Sequence, residues 1–209
     1  MAVLTTLLAV VASYLIGALS GSLVLAPVFG KEDPRKSGSG NAGATNALRT
    51  GGRGYGAAVL MFDLIKGVVA ALVIPWLLAI PAGWAFACGV AAVIGHVYPV
   101  YFGFHGGKGA ATVIGVLLAL LPLALLVGVV VWIVTLVISG YVGLSTLLGM
   151  VAVALWCIVT HAAVDAASAF VVLITILVFY THRGNIKRMR EGNENRFTGI
   201  MLRKPKDRS

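Results

Sequence analysis

An all-α, polytopic membrane protein of about seven transmembrane helices is the fold this sequence predicts, and three observations predict it. Hydrophobic residues make up 59% of the chain and charged ones 11%, with a mean hydropathy of +0.98, more apolar surface than a soluble domain can hide. Asp, Glu, Lys and Arg are absent from residues 1–30, 67–107, 109–164 and 166–182. A charge at the bilayer midplane costs ~2.5–3.5 kcal/mol on insertion scales, so charge-free stretches mark crossings. Pro and Gly then divide the longer stretches at intervals suited to turns.

With ~20 residues needed per crossing, the elements follow in order. The first helix is expected over 2–27, because "MAVLTTLLAV" has no basic residue ahead of its apolar segment and so lacks the n-region of a cleaved signal peptide. Its Gly17-x-x-x-Gly21 face suits close helix packing. The second, over 55–80, ends at Pro81-Ala82-Gly83; the third, over 82–101, ends before Gly103. The fourth, over 109–121, is short and stops at Pro122, the fifth runs over 122–139 to Gly140, and the last two cover 143–161 and 163–181. All belong to a single membrane domain, 1–209, whose polar segments are 31–54, 95–112 and 182–197.

Parity puts those three polar segments on one face, with every one of the 16 basic residues except Lys66, while only Asp165 falls near the other. Positive charge stays inside, so the N-terminus is expected outside and the C-terminus in the cytoplasm. The net charge of +9 is then mainly topology, with attraction to anionic lipid second, and no soluble domain is present to organise nucleic acid. Asp63 and Lys66, at i and i+3 in the second span, are expected to pair. Cys88 and Cys157 sit in apolar sequence and read as core. His161 and Asp165 are four apart where the His-x4-Asp acyltransferase motif needs five, and read as a loop.

Chemistry is expected in the polar segments, since polar groups at a membrane boundary are held for a reason. In "DPRKSGSGNAGATNALRTGGRG", residues 33–54, Gly38, Gly40 and Gly43 let backbone N–H groups turn to one point. Ser39, Asn41, Thr45 and Asn46 add short donors and Arg49 a five-donor fork. That set suits a phosphate; a flexible linker is the competing reading. In "YFGFHGGKGAAT", residues 101–112, Gly106, Gly107 and Gly109 surround Lys108 just before a helix expected from Ala110, where unpaired N–H groups and the dipole favour an anion. The Walker A spacing is absent, and a snorkelling lysine is the alternative. His96 is expected to make a structural hydrogen bond, beside the interfacial Tyr98 and Tyr101.

In "THRGNIKRMREGNENRF", residues 181–197, His182 and Asn185 share a helical face, with Lys187, Arg188 and Arg190 beyond. A basic stop-transfer tail explains most of this but does not require His182, Asn185 and Glu194. The cytosolic carboxylates Glu32, Asp33, Glu191, Glu194 and Asp207 form no ligand pattern, so no metal site is expected and a two-metal CDP-alcohol phosphotransferase is disfavoured. Anion sites on one membrane face imply a phosphorylated, water-soluble substrate meeting a lipid in one cationic pocket. A small transporter of a phosphorylated metabolite is the rival class, but transporters place polar residues near the midplane, often in related halves.

Three stretches together, "GSGNAGATNALR" (38–49), "GHVYPVYFGFHGGKGAAT" (95–112) and "HRGNIKRMREGNEN" (182–195), resemble the bacterial membrane glycerol-3-phosphate acyltransferase (PlsY) family in order and spacing, over nearly the whole chain. The resemblance implies a seven-helix enzyme of the bacterial inner membrane with its active site facing the cytoplasm. It implies transfer of an acyl group from acyl phosphate to the 1-hydroxyl of glycerol 3-phosphate, giving lysophosphatidic acid and phosphate, the first step of phospholipid synthesis. No cofactor, metal or coenzyme A is implied; the partners are the two substrates and membrane lipid, not nucleic acid. The family's functional positions fall on Ser39, Asn41, Thr45 and Arg49, on Lys108 with its flanking glycines, and on His182, Asn185 and Glu194. A further serine, expected in the loop between the fifth and sixth spans, corresponds to Ser145 or, shifted by one, Thr146. This chain departs from the family pattern at His105, Gly140 and Gly143, where a basic residue, Arg and Ser are more usual. The base is either His182 or a phosphoryl oxygen of the donor.

Overall fold

The expected break points at Pro81-Ala82-Gly83, Gly103 and Gly140 fall between helices, and Pro122 is the first residue of one, in the computed structural model, which describes residues 2–160 and 165–202. His161 and Asp207 lie outside the described residues. Among the described residues every regular element is helical: α1 (Ala2–Gly17), α2 (Gly21–Leu25), α3 (Ala44–Gly51), α4 (Arg53–Leu77), α5 (Trp84–Val97), α6 (Ala110–Leu120), α7 (Pro122–Ser139), α8 (Val142–Thr160), α9 (Ala166–Thr181) and α10 (Arg183–Arg190), with short 3-10 turns between some of them. Four of these segments are long and apolar enough to cross a membrane: α4, α5 extended to Phe102, α7 and α8. The α9–α10 pair, bent by 51°, adds up to a fifth, and α1 and α6 are shorter apolar helices. Leu123, Leu126, Val130, Ile133, Val134 and Ile138 of α7 face outward, the apolar exterior that lipid requires.

The chain forms two compact units, residues 1–122 and 123–209. In the first, α1 packs on α5 and α4 on α6. Both crossings need glycine: a Cβ on Gly17 would overlap the Ala92 backbone and one on Gly95 the Tyr14 carbonyl, while Gly67 and Gly115 stand against Thr112 and Leu64 in the same way. Within α4, residues 69–73 widen into a π-turn ahead of Pro75. Proline has no N–H and its ring crowds the carbonyl four residues earlier, so a π-turn relieves the clash. The Ala70 carbonyl, whose π-type partner would be Pro75, instead accepts from Ser13 Oγ of α1 at 3.2 Å.

The first span differs from the single helix expected over 2–27. It breaks at residues 18–20, and the expected Asp63–Lys66 pair, 2.8 Å apart and buried, supplies the reason. Lys66 Nζ donates to the Leu19 carbonyl at 2.9 Å, and Asp63 Oδ1 accepts from Gly21 N at 3.0 Å. The pair therefore satisfies backbone groups that a break leaves open.

In the second unit α8 packs on α9 and α10. Gly140, at φ +72° where a left-handed residue ends α7, accepts at its carbonyl from Phe197 N at 2.8 Å, and Leu202 N reaches Val137 O at 3.1 Å. The segment after α10 is thereby laid back along the end of α7, with the Arg196 guanidinium 4.5 Å above the Tyr141 ring.

Candidate active site

Pro34 opens a 3-10 turn, Pro34–Lys36, capped by Asp33, whose carboxylate accepts from Arg35 N at 2.9 Å and from its guanidinium at 2.6–3.0 Å. Arg35 Nη1 donates onward to the Phe102 and His105 carbonyls, at 3.0 and 3.2 Å. Arg35 thus straps the first polar segment to the second, a role the sequence reading missed; the signal was an Asp-Pro-Arg turn that fixes the side chain at its root. The guanidinium holds the Asp33 carboxyl below the usual carboxylate range, and the carboxylate raises Arg35 in turn.

Asn46, expected among the phosphate-binding residues, is 1% exposed and holds the loop together: Nδ2 donates to Pro34 O (2.8 Å) and Ser37 O (3.1 Å), and Oδ1 accepts from Ser39 N (2.8 Å). The amides of Gly40 and Gly43 likewise donate within the chain, to Ser37 O and Asn41 O, so they do not turn outward as N–H donors. Gly38 keeps φ +61° with Asn46 Oδ1 where a Cβ would stand. Ser39, Asn41 and Thr45 are half-buried around this scaffold, and Arg49 is exposed in the last turn of α3.

The second segment forms the expected lead into a helix. Gly109, at φ +87°, precedes α6, which starts at Ala110, and Lys108 is half-buried just ahead of it. The Gly106 and Gly107 amides, expected to face an anion, donate within the chain to Val97 O and His96 O, both at 3.1 Å. Gly107 is also where the two segments meet, since a Cβ there would stand 2.7 Å from the Ala42 carbonyl oxygen. Thr112, in the first turn of α6, is fully buried with its hydroxyl unpaired, a candidate that sequence alone did not single out.

The third segment gathers around Glu194. Its buried carboxylate accepts from Asn185 Nδ2 at 2.9 Å and from Arg188 Nε at 2.7 Å. Glu194, expected among the phosphate-binding residues, thus fixes the Asn185 amide and the Arg188 guanidinium through charge-assisted hydrogen bonds. His182 caps α10 at the bend and is 5% exposed; its Nδ1 donates to Val178 O at 2.8 Å, which puts the proton of the neutral ring on Nδ1. Asn185 packs on Gly143, where a Cβ would come within 3.0 Å of it, which accounts for glycine at that departure from the family pattern. Ser145 is in the first turn of α8, not in a loop: its N and Oγ both bond to Tyr141 O, and its side chain is buried. Thr146 donates to Val142 O and accepts from Trp132 Nε1. Among the described residues no group of His, Cys, Asp and Glu has a metal-ligating arrangement.

Helices of this apolarity, with polar loops carrying Lys, Arg and His at their ends, define an all-helical integral membrane protein. A family model for glycerol-3-phosphate acyltransferase matches residues 7–192. Glycerol-3-phosphate acyltransferases of Halalkalibacterium halodurans and Pelagibacter ubique are 44% and 38% identical, over 90% and 91% of this chain and 94% and 96% of theirs. Solved structures of PlsY, an integral membrane glycerol 3-phosphate acyltransferase, in glycerol 3-phosphate and lysophosphatidic acid forms, superpose with TM-scores of 0.85 and 0.83. They are 37% and 36% identical to it, covering 92% of this chain and 95% of each neighbour. The chain belongs to the glycerol-3-phosphate acyltransferase family and is an acyltransferase.

Proposed function

We propose that the enzyme moves a fatty acyl group from acyl phosphate to the 1-hydroxyl of sn-glycerol 3-phosphate, releasing lysophosphatidic acid and inorganic phosphate at the start of phospholipid synthesis. One observation carries the reading beyond family membership: Arg35 ties the glycine-rich loop of Ser39 and Asn41 to the Lys108 turn, so that short polar side chains, a cation and a helix N-terminus converge in one unit. Both substrates are anions, and fixed cations with preorganised donors offset their repulsion where charge develops.

The hydroxyl oxygen attacks the acyl carbonyl carbon, a C–O ester bond forms, and the bond to the phosphate oxygen breaks with its electron pair leaving on phosphate. The hydroxyl proton passes to the departing phosphate, while His182 and Asn185 orient glycerol phosphate. Ser39, Asn41, Thr45, Arg49 and Lys108 serve substrate phosphate, and Ser145 supports the reaction from the start of α8. Acyl phosphate is an activated anhydride, so alignment supplies most of the acceleration, worth up to ~7–11 kcal/mol.

Seven apolar helical segments, α1, α4, α5, α6, α7, α8 and α9, serve as the crossings in a bacterial inner membrane, with the N-terminus outside and the active site facing the cytoplasm. The positive-inside distribution supports this orientation. The test is purified protein in detergent with acyl phosphate and labelled glycerol 3-phosphate. Labelled lysophosphatidic acid formed without sealed vesicles is the expected result; no product in detergent, with glycerol phosphate uptake by vesicles, would favour a transporter.

A further inference from the structure

We infer that His96, held by Asp63 and Lys66, is a positioning residue that sets where Lys108 stands. The inference rests on the reading that Lys108 serves the reaction. A buried ion pair inside a membrane-spanning helix is costly and is weak evidence of stabilisation. This one holds a third group. Lys66 Nζ lies 2.9 Å from His96 Nδ1, with Asp63 Oδ1 at 3.4 Å from the same nitrogen, and all three side chains are at most 4% exposed.

An ammonium only donates, so Nδ1 accepts from Lys66 and the ring proton sits on Nε2. The Nε2 edge lies under Gly107: a Cβ built there would meet Nε2 first, then the Ala42 carbonyl oxygen. A Cβ on the neighbouring Gly106 would overlap the His96 carbonyl, and that carbonyl accepts from Gly107 N at 3.1 Å. Backbone and ring of one buried residue thus support the two glycines that immediately precede Lys108. The ring has little freedom, because Lys66 is itself pinned by Asp63 and the Leu19 carbonyl, and Asp63 by Gly21 N. The chain of contacts Gly21–Asp63–Lys66–His96–Gly107 carries the geometry of the broken first span to the Lys108 turn.

The experiment is a double-mutant cycle in the detergent assay. His96→Asn keeps an acceptor near the Nδ1 position for Lys66 but removes the part of the ring beneath Gly107. Misplacement of a reacting group by ~1 Å costs on the order of a hundredfold, so His96→Asn is expected to lower kcat by ~10- to 100-fold. KM for glycerol 3-phosphate should stay within ~3-fold, as for an interaction made in the transition state. In a Lys108→Ala background the same substitution should cost less than ~3-fold, because its effect acts through Lys108. His96→Gln, whose amide extends to the Nε2 position, should recover most of the rate and serves in the cycle if the Asn variant does not fold. Wild-type kcat in His96→Asn, or the full penalty in both backgrounds, overturns the inference, and so does failure of both variants to fold, which would make the role structural. A Lys108→Ala enzyme with wild-type rate would instead refute the underlying assignment of Lys108.

Discussion

Lys108 and Arg35 do different work although both are cations in polar loops. Arg35 is used up by Asp33 and two carbonyls, whereas Lys108 precedes the amides of α6. Removing one preorganised donor from a developing charge typically costs ~100- to 1,000-fold, so Lys108→Ala should lower kcat/KM by that factor. Asn46→Ala should act on stability. It leaves the Ser39 amide and the Pro34 and Ser37 carbonyls without their partner, and lost loop bonds of this kind cost ~1–3 kcal/mol, read as a lower unfolding midpoint in detergent. Asp33 carries a pH dependence. Its folded pKa is depressed by Arg35, so the clamp stabilises in full above the ordinary carboxylate pKa and is lost as pH falls through the lowered value. Asp33→Asn should therefore unfold more easily than the wild type at pH 6, and the difference should shrink as pH drops below about 4.

At the scale of elements, much of the layout was legible because lipid leaves few choices: charge-free runs become helices, and Pro122 and Gly140 stand at helix boundaries as their backbone chemistry demands. The break in the first span was not legible. Residues 18–20 contain no proline, and the groups that compensate the break, Asp63 and Lys66, are more than forty positions away. Their pairing followed from spacing; their use by a distant backbone did not. The same limit explains Asn46, Gly106 and Gly107, whose composition suits phosphate but whose hydrogen bonds close on the chain itself. Lys66→Met tests the element-scale account. It strands a buried carboxylate and the Leu19 carbonyl together, and breaking a buried pair costs ~3–5 kcal/mol, so the variant should show a large drop in unfolding midpoint.

For the whole molecule, the motifs that carried the family were readable because they interrupt an otherwise uncharged sequence, and ~40% identity over nine-tenths of the chain agrees with them. Which side of the membrane they face rests on charge distribution, and single cysteines answer it: introduced at Lys36 or Asn193, they should react with a membrane-impermeant maleimide only in inside-out vesicles. Donor choice is the sharpest point, because the proposed chemistry depends on phosphate as leaving group. The most direct measurement gives the purified enzyme acyl phosphate or acyl-coenzyme A of the same chain length with glycerol 3-phosphate and quantifies both products. Lysophosphatidic acid and inorganic phosphate formed one for one from acyl phosphate, with none from the thioester, is the predicted result; equal or faster acylation from the thioester would contradict it.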